Sequence, residues 1–250
     1  MYQVNQLLQH VKEEIKDKDE LAYFFTHQVR YLYILSEIVK ISKNNKLTIL
    51  DIGCFPYHIG KALELLGHTV YGISSYHEPI NNRKISVLNI ENEKFPYKSN
   101  FFDLVLCNEV IEHLPQSPVI PLKEIYRVTK KNGYLMVTTP NIARSINRVN
   151  LLFGKSIMYP ISVYFEDDGK GNKIYHRHNR EYTLSELEKM FVDTSWKVEK
   201  ANYFISYTPF RKRITADPVW LFLGKLINYI LMIIFPFLKD TLIVIGKKLE

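Results

Sequence analysis

Two carboxylates and an imidazole stand together at Glu109-x-x-Glu112-His113. On a helix, positions i, i+3 and i+4 share a face, so the spacing predicts that the three groups converge. Carboxylate oxygens and an imidazole nitrogen suit a divalent cation such as Mg, Mn, Fe or Zn. A fourth ligand must come from elsewhere, and His176-Arg177-His178 offers two imidazoles shortly before Arg180-Glu181-Tyr182-Thr183-Leu184. Without a metal, His113 or His178 is placed to act as general base, because a neutral imidazole near pH 7 can accept a hydroxyl proton. Cys54 and Cys107 are nucleophiles by type, but cysteines at strand ends more often serve as small packing residues.

These groups need a scaffold, and the chain alternates strand and helix signals. Residues 4–42 read as helix, interrupted by the charged stretch Lys16–Glu20. Short β-forming runs follow at Leu47–Leu50, Thr69–Ile73, Ile85–Leu88, Phe102–Leu106 and Tyr134–Thr138. Helical segments separate them at Ile59–Leu66, Val110–Leu114 and Pro121–Lys130, the last closed by Asn132-Gly133. Thr183 with Glu186 forms a capping-box pattern at the start of a further helix, and Trp196–Ile205 and Thr241–Ile245 supply the last strands. Residues 141–182 look irregular, with turn signals at Asp167-Asp168-Gly169 and Gly171-Asn172. The expectation is an α/β fold: a Rossmann-like, doubly wound, mostly parallel sheet of about seven strands, with N-terminal helices and a C-terminal helical insertion.

In such a sheet, ligands bind beyond the carboxyl ends of the strands. That edge collects Asp51-Ile52-Gly53-Cys54, Gly72-Ile73-Ser74, Asn89-Ile90-Glu91 and Cys107-Asn108-Glu109. Neither G-x-G-x-x-G nor G-x-x-x-x-G-K-[ST] follows the first strand, which weakens dinucleotide and P-loop readings.

The ordered set Leu50-Asp51-Ile52-Gly53-Cys54, Val70-Tyr71-Gly72-Ile73, Phe102-Asp103-Leu104-Val105, Glu109–Leu114 and Gly133–Val137 with Thr139-Pro140-Asn141 resembles class I S-adenosylmethionine-dependent methyltransferases. The resemblance covers about residues 47–141, and Arg180–Leu184 extends it. It implies S-adenosylmethionine as cofactor, with Asp51 and Gly53 against the methionine part, Ser74 at the ribose and Asn89 and Ile90 beside the adenine. Cys54, Phe55, Gly72 and Asn108 complete the implied cofactor set. The sequence departs from the pattern at Phe55 and Tyr57, where glycines are usual, at Ser74, where an acid is usual, and at Asn89, often Asp. The E-x-x-E-H pattern with a later His is similar to small-RNA 2′-O-methyltransferases and quinone-biosynthesis O-methyltransferases. That similarity implies a metal held by Glu109, Glu112, His113 and His178.

Composition bounds the rest. The chain has 250 residues and a formal net charge of +7, with 46% hydrophobic and 24% charged residues, which excludes a disordered or low-complexity chain. Two cysteines suggest a reducing compartment, and charges through residues 1–20 argue against a signal-peptide core. From Pro218 to Leu238 the charge is limited to Lys225, giving an apolar helix with basic Arg211-Lys212-Arg213 before it and Lys239, Lys247 and Lys248 after it. That pattern suits a core helix, a homodimer interface or an anionic membrane surface.

The expected organisation is an N-terminal helical cap over residues 1–46 and a methyltransferase domain over 47–250, with insertions at 141–182 and 206–239 forming the acceptor side. The leading expectation is O-methylation of a hydroxyl on a sugar or other small molecule, resembling enzymes of bacterial surface polysaccharides. A lipid-linked glycan, a cytoplasmic location and contact with the inner face of the membrane go with it. The alternatives are an RNA 2′-O-methyltransferase, motivated by the E-x-x-E-H metal pattern and the +7 charge, and a degenerate, non-catalytic binding protein, motivated by Phe55, Tyr57 and Ser74.

Overall fold

A computed structural model of the chain describes residues 2–75, 83–165, 176–208 and 219–249. Two helices, α1 (Tyr2–Glu14) and α2 (Lys18–Ser42), precede the sheet. The Asp17 carboxylate caps α2 by accepting from the backbone N–H groups of Asp19 and Glu20, so the charged break expected at Lys16–Glu20 is a helix start. The strands are β1 (Thr48–Ile52), β2 (Thr69–Ser74), β3 (Lys84–Val87), β4 (Phe102–Asn108), β5 (Thr129–Pro140), β6 (Lys197–Phe204) and β7 (Thr241–Lys247). Between them lie α3 (His58–Leu65), α4 (Val119–Val128), α5 (Ser145–Leu152), α6 (Leu184–Asp193) and α7 (Val219–Ile234).

The strands form one seven-stranded sheet in the order β3-β2-β1-β4-β5-β7-β6, with β7 antiparallel to both its neighbours. The first three strands run outward from β1 and β4 returns to its other side, which sets the topological switch point between β1 and β4. Central strands read as continuous apolar runs because helices cover both faces. On one face Ile49, Leu104 and Met136 pack with Leu8, Phe24, Ile34 and Leu63 from α1, α2 and α3. On the other, Leu50, Val105 and Leu135 pack with Leu122 and Ile125 of α4 and Leu187 and Phe191 of α6.

Three local expectations are corrected. The helix expected to end at Asn132-Gly133 ends at Val128, and those two residues lie inside β5. The turn signal marks a kink in the strand: Asn132 takes a left-handed φ of 62°, and the β4–β5 register shifts between Phe102 and Leu104. Val110–Leu114 is a single 3-10 turn, Ile111–His113, preceded by Glu109 at φ 55°. Residues 141–182 are less irregular than expected, since they contain α5 and a 3-10 turn at Ile161–Phe165. The turn signals at 167–172 and the basic Arg211-Lys212-Arg213 lie outside the described residues.

The 16 residues of α7 span about 24 Å, less than the ~30 Å hydrocarbon core of a bilayer. Among the described residues no helix is long and apolar enough to cross a membrane.

Candidate active site

At the end of β1 the chain turns at Gly53, whose φ of 73° is left-handed and whose N–H donates to the Ile73 carbonyl at 2.9 Å. A Cβ here would stand 2.5 Å from Val110 Cγ2, so the position needs a hydrogen for both conformation and space. The room left by that glycine opens into a cavity of about 380 Å³ at the carboxyl edge of the sheet. Its walls come from Gly53 and Phe55 after β1, Ser74 at the end of β2, Asn89 and Ile90 after β3, and Val110 and His113 after β4. Tyr23 of α2 closes one side. The Asn89 side chain accepts from the Glu91 N–H at 3.0 Å, and the Glu91 carboxylate accepts from the N–H groups of Gln116 and Ser117, tying the turn after β3 to the loop before α4.

Of the residues nominated for a cofactor, Gly53, Phe55, Ser74, Asn89 and Ile90 lie on this wall. Asp51 sits two residues earlier in β1, buried, and burial pushes its carboxyl up to about 7. Cys54 and Gly72 are placed against each other instead: a Cβ on Gly72 would meet Cys54 Sγ at 2.7 Å. Burial pushes the Cys54 and Cys107 thiols far up, as expected of packing cysteines rather than nucleophiles. Asn108 keeps its amide N and O enclosed with no hydrogen-bond partner among the described residues, next in sequence to the cavity residue Glu109.

The acid and imidazole groups assemble differently from the helical pattern. Ligand atoms of Glu112, His113 and His178 all lie within 4.8 Å of one another. Glu112 is fully buried; its Oε2 accepts from Thr139 Oγ1 at 3.0 Å, and its Oε1 has no hydrogen-bond partner among the described residues. Burial, reinforced by the neighbouring Glu109 charge, holds the Glu112 carboxyl well above the usual carboxylate range. The two imidazoles sit edge to face with centroids 4.9 Å apart. His113 Nδ1 donates to the Arg177 carbonyl at 3.1 Å and His178 Nδ1 donates to Glu181 Oε1 at 2.9 Å. Both oxygens are acceptors, so the neutral rings carry their proton on Nδ1 and the lone pair on Nε2. That oxygen-anchored arrangement is the one that orients metal-ligating histidines.

The 176–182 segment reaches the cluster because its backbone is laced to the 3-10 turn. Asn179 and Arg180 donate N–H groups to the Glu112 carbonyl at 2.7 and 3.2 Å, and Asn179 Nδ2 donates to the His113 carbonyl at 2.7 Å. Arg144 grips Glu181 with two contacts of 2.5 and 3.1 Å. Burial works against ionising Glu181, yet the hydrogen bonds from His178 and Arg144 hold its carboxyl below the usual range.

Glu109 does not join the cluster. The helix that would have aimed it there is absent, and its Oε2 pairs with Arg30 Nη1 of α2 at 2.8 Å while Oε1 accepts from Thr138 Oγ1 at 2.9 Å. Arg30 itself is largely buried beside the site. One residue along α2, Tyr31 meets His58 at 3.2 Å, and His58 reaches Glu20 at 3.0 Å, fastening α2 to the start of α3. Sequence reasoning assigned no role to Tyr23, Val110, Glu181 or Arg144; the acidic residue inside Arg180–Leu184 was the available signal for Glu181.

His178 also borders a second cavity of about 320 Å³, walled by Ile142, Ile157, Met158, Tyr159 and Pro160 with Arg144 and Glu181. The Tyr159 ring stands 5.3 Å from that of His178.

A doubly wound sheet with its cavity at the β1/β4 switch point is the architecture of class I methyltransferases, and comparison with known proteins narrows it. The family described as a methyltransferase domain matches residues 25–201, and the chain belongs to it. The chain is 25% identical over 187 residues to the ubiquinone biosynthesis O-methyltransferase of Rickettsia prowazekii, covering 70% of this chain and 69% of that protein. It is 26% identical over 196 residues to the protein of the same name from Rickettsia canadensis, covering 74% and 78%. Among solved structures, a SAM-dependent methyltransferase from Archaeoglobus fulgidus superposes with a TM-score of 0.61 at 16% identity, over 93% of this chain and 100% of that one. One from Aquifex aeolicus gives 0.52 at 16% identity, over 93% and 99%. The chain is an S-adenosylmethionine-dependent methyltransferase.

Proposed function

We propose that the protein methylates a hydroxyl oxygen of a small molecule seated in the second cavity. One observation carries this reading: His113 borders the cofactor cavity, His178 borders the second cavity, and their rings are in contact. Proton-accepting groups therefore stand where an acceptor would face a methyl donor. The relatives named as O-methyltransferases support oxygen as the acceptor atom. When bound, S-adenosylmethionine supplies an electrophilic methyl group on a positively charged sulfur. Gly53, Asn89 and Ile90 would hold it, and α2 covers them from the Tyr23 side. The acceptor oxygen would take that methyl group, and with no metal bound its proton would pass to Nε2 of His178 or His113. Positioning supplies most of the rate.

The buried Oε1 of Glu112, which accepts no hydrogen bond among the described residues and lies beside two oriented imidazoles, fits a divalent cation. Glu112, His113 and His178 would hold it, and it would act as a Lewis acid on the acceptor hydroxyl. Glu109, engaged by Arg30, is left out of that set. The side chains Ile142, Ile157, Met158 and Pro160 favour an acceptor with an apolar part. The wider expectation of a sugar or lipid-linked glycan rests on sequence pattern, and an RNA strand would bring phosphates to a largely apolar wall.

Calorimetry with S-adenosylmethionine and S-adenosylhomocysteine, followed by an acceptor screen reading released S-adenosylhomocysteine, tests the enzyme reading. No binding of either at millimolar ligand would leave a non-catalytic binding protein. For the metal, EDTA and Glu112→Gln should each lower turnover at least tenfold, with Mg, Mn or Zn restoring the chelated wild type. Turnover that survives both removes the cation and leaves the imidazoles as base.

A further inference from the structure

Two elements leave the same edge of the sheet with apolar side chains uncovered. α5 follows the end of β5, and α7 leads through a 3-10 turn at Pro236–Leu238 into the start of β7. Those two strand ends are paired, with Pro140 opposite Thr241. Asn141 Nδ2 donates to the carbonyls of Phe237 and Lys239 at 2.9 and 2.7 Å, and the Arg148 guanidinium of α5 lies 5.1 Å from the Phe237 ring centre. α5 therefore lies beside the 3-10 turn that follows α7, on the edge where β5 ends. On the α5 side Leu152 and Phe165 are 81% and 80% exposed, and Ile227 and Ile234 of α7 are each more than half exposed.

We infer that this edge docks on an anionic lipid bilayer. Contiguous exposed apolar surface marks an interaction site, and the charges on it choose the partner. Across Ser145–Phe165 and Val219–Lys239 the charged residues are Arg148, Lys155, Lys225 and Lys239, with no Asp or Glu. An apolar face studded with cations matches a surface of anionic headgroups over acyl chains. A second copy placed on the same face would bring these cations together, with no carboxylate from either segment to meet them. Docking would set the second cavity, whose Met158 and Pro160 lie in the 145–165 segment, at the level of the headgroups. The docking stands apart from the acceptor reading, because it is measured without cofactor or acceptor.

The test is co-sedimentation of the full chain with vesicles of phosphatidylcholine alone and with about 30% phosphatidylglycerol at about 0.15 M salt, a composition chosen to give a negative surface potential. The expected result is binding to the anionic vesicles at least fivefold above the neutral ones. Leu152→Glu with Phe153→Glu, and separately Ile230→Glu with Ile234→Glu, should each reduce it at least fivefold. An unchanged melting temperature and unchanged S-adenosylmethionine affinity show that those variants fold. Equal binding to both vesicle types, or no loss in folded variants, overturns the proposal. So does a light-scattering mass of two chains that the variants convert to one, which would make the face a homodimer interface.

Discussion

Arg30 of α2 and Glu109 at the end of β4 form an ion pair of 2.8 Å beside the cavity at the carboxyl edge of the sheet, with side chains only 11% and 19% exposed. The pair joins the N-terminal helices to the residue on which the chain turns, at φ 55°, toward Glu112 and His113. It also sets a positive charge near two carboxylates, since Arg30 opposes the upward shift at Glu112.

Removing Arg30 should leave Glu109 enclosed without its counter-charge, close to Glu112. Losing one partner of a fully buried pair costs about 3–5 kcal/mol, and the partial exposure here brings the expected loss for Arg30→Met to about 2 kcal/mol. Glu109→Gln added to that variant should recover about half. Urea denaturation of the four proteins in the cycle measures it, and additive losses would show that the pair contributes no coupling.

Asp51 gives a pH dependence whose sign is fixed. Its folded value of about 7 lies above the ordinary 3.8, because burial disfavours the charged form. The folded state therefore holds this proton more tightly than the unfolded chain. Its contribution to stability is fully present below about pH 4 and is lost as pH rises through about 7. A positively charged ligand beside Asp51 would favour its ionised form, so cofactor affinity should rise about tenfold from pH 6 to pH 8. Calorimetry at pH 6, 7 and 8 checks this. In Asp51→Asn the change should shrink to less than twofold.

Why the strands were legible and the cluster only partly so follows from the range of the interactions. Leu47–Leu50, Phe102–Leu106 and Thr241–Ile245 are short apolar runs whose burial on both faces shows in the sequence itself, and each lies within or beside an observed strand. Thr183 and Glu186 form the reciprocal capping contacts their spacing implied. Glu109 misled because i, i+3, i+4 logic assumes a helix, while Gly53 and the Thr138 hydroxyl leave room and a partner for a left-handed turn there. Arg30 could not be placed from α2 alone: its partner comes from β4, and the facing of a helix is settled by packing with distant strands. Likewise Glu181 takes its place through Arg144 and His178, which lie far apart in the chain.

The second cavity makes a separable prediction. Tyr159→Ala removes a ring that stands against His178 but does not border the cofactor cavity. With an acceptor found by screening, its KM should rise about five- to tenfold, in line with the roughly 1–1.5 kcal/mol of an aromatic contact. S-adenosylmethionine affinity should change less than twofold. Equal losses in both would place Tyr159 in general folding rather than at the acceptor.

Gly53 separates two physical costs that a single substitution would merge. Gly53→Ala forces a side chain into a φ of 73°, worth about 1–2 kcal/mol, and drives its Cβ to 2.5 Å from Val110 Cγ2. Adding Val110→Ala removes the methyl groups in the way but leaves the backbone strain. The double variant should therefore regain the steric part of the lost stability and remain about 1–2 kcal/mol below Val110→Ala alone. Cofactor affinity should fall in Gly53→Ala, because both residues line the cavity and the new methyl displaces Val110 within it. Urea denaturation with calorimetry on the four proteins distinguishes these terms. Full recovery of stability in the double variant would mean that the left-handed turn carries no strain, and that steric room alone selects glycine at the end of β1.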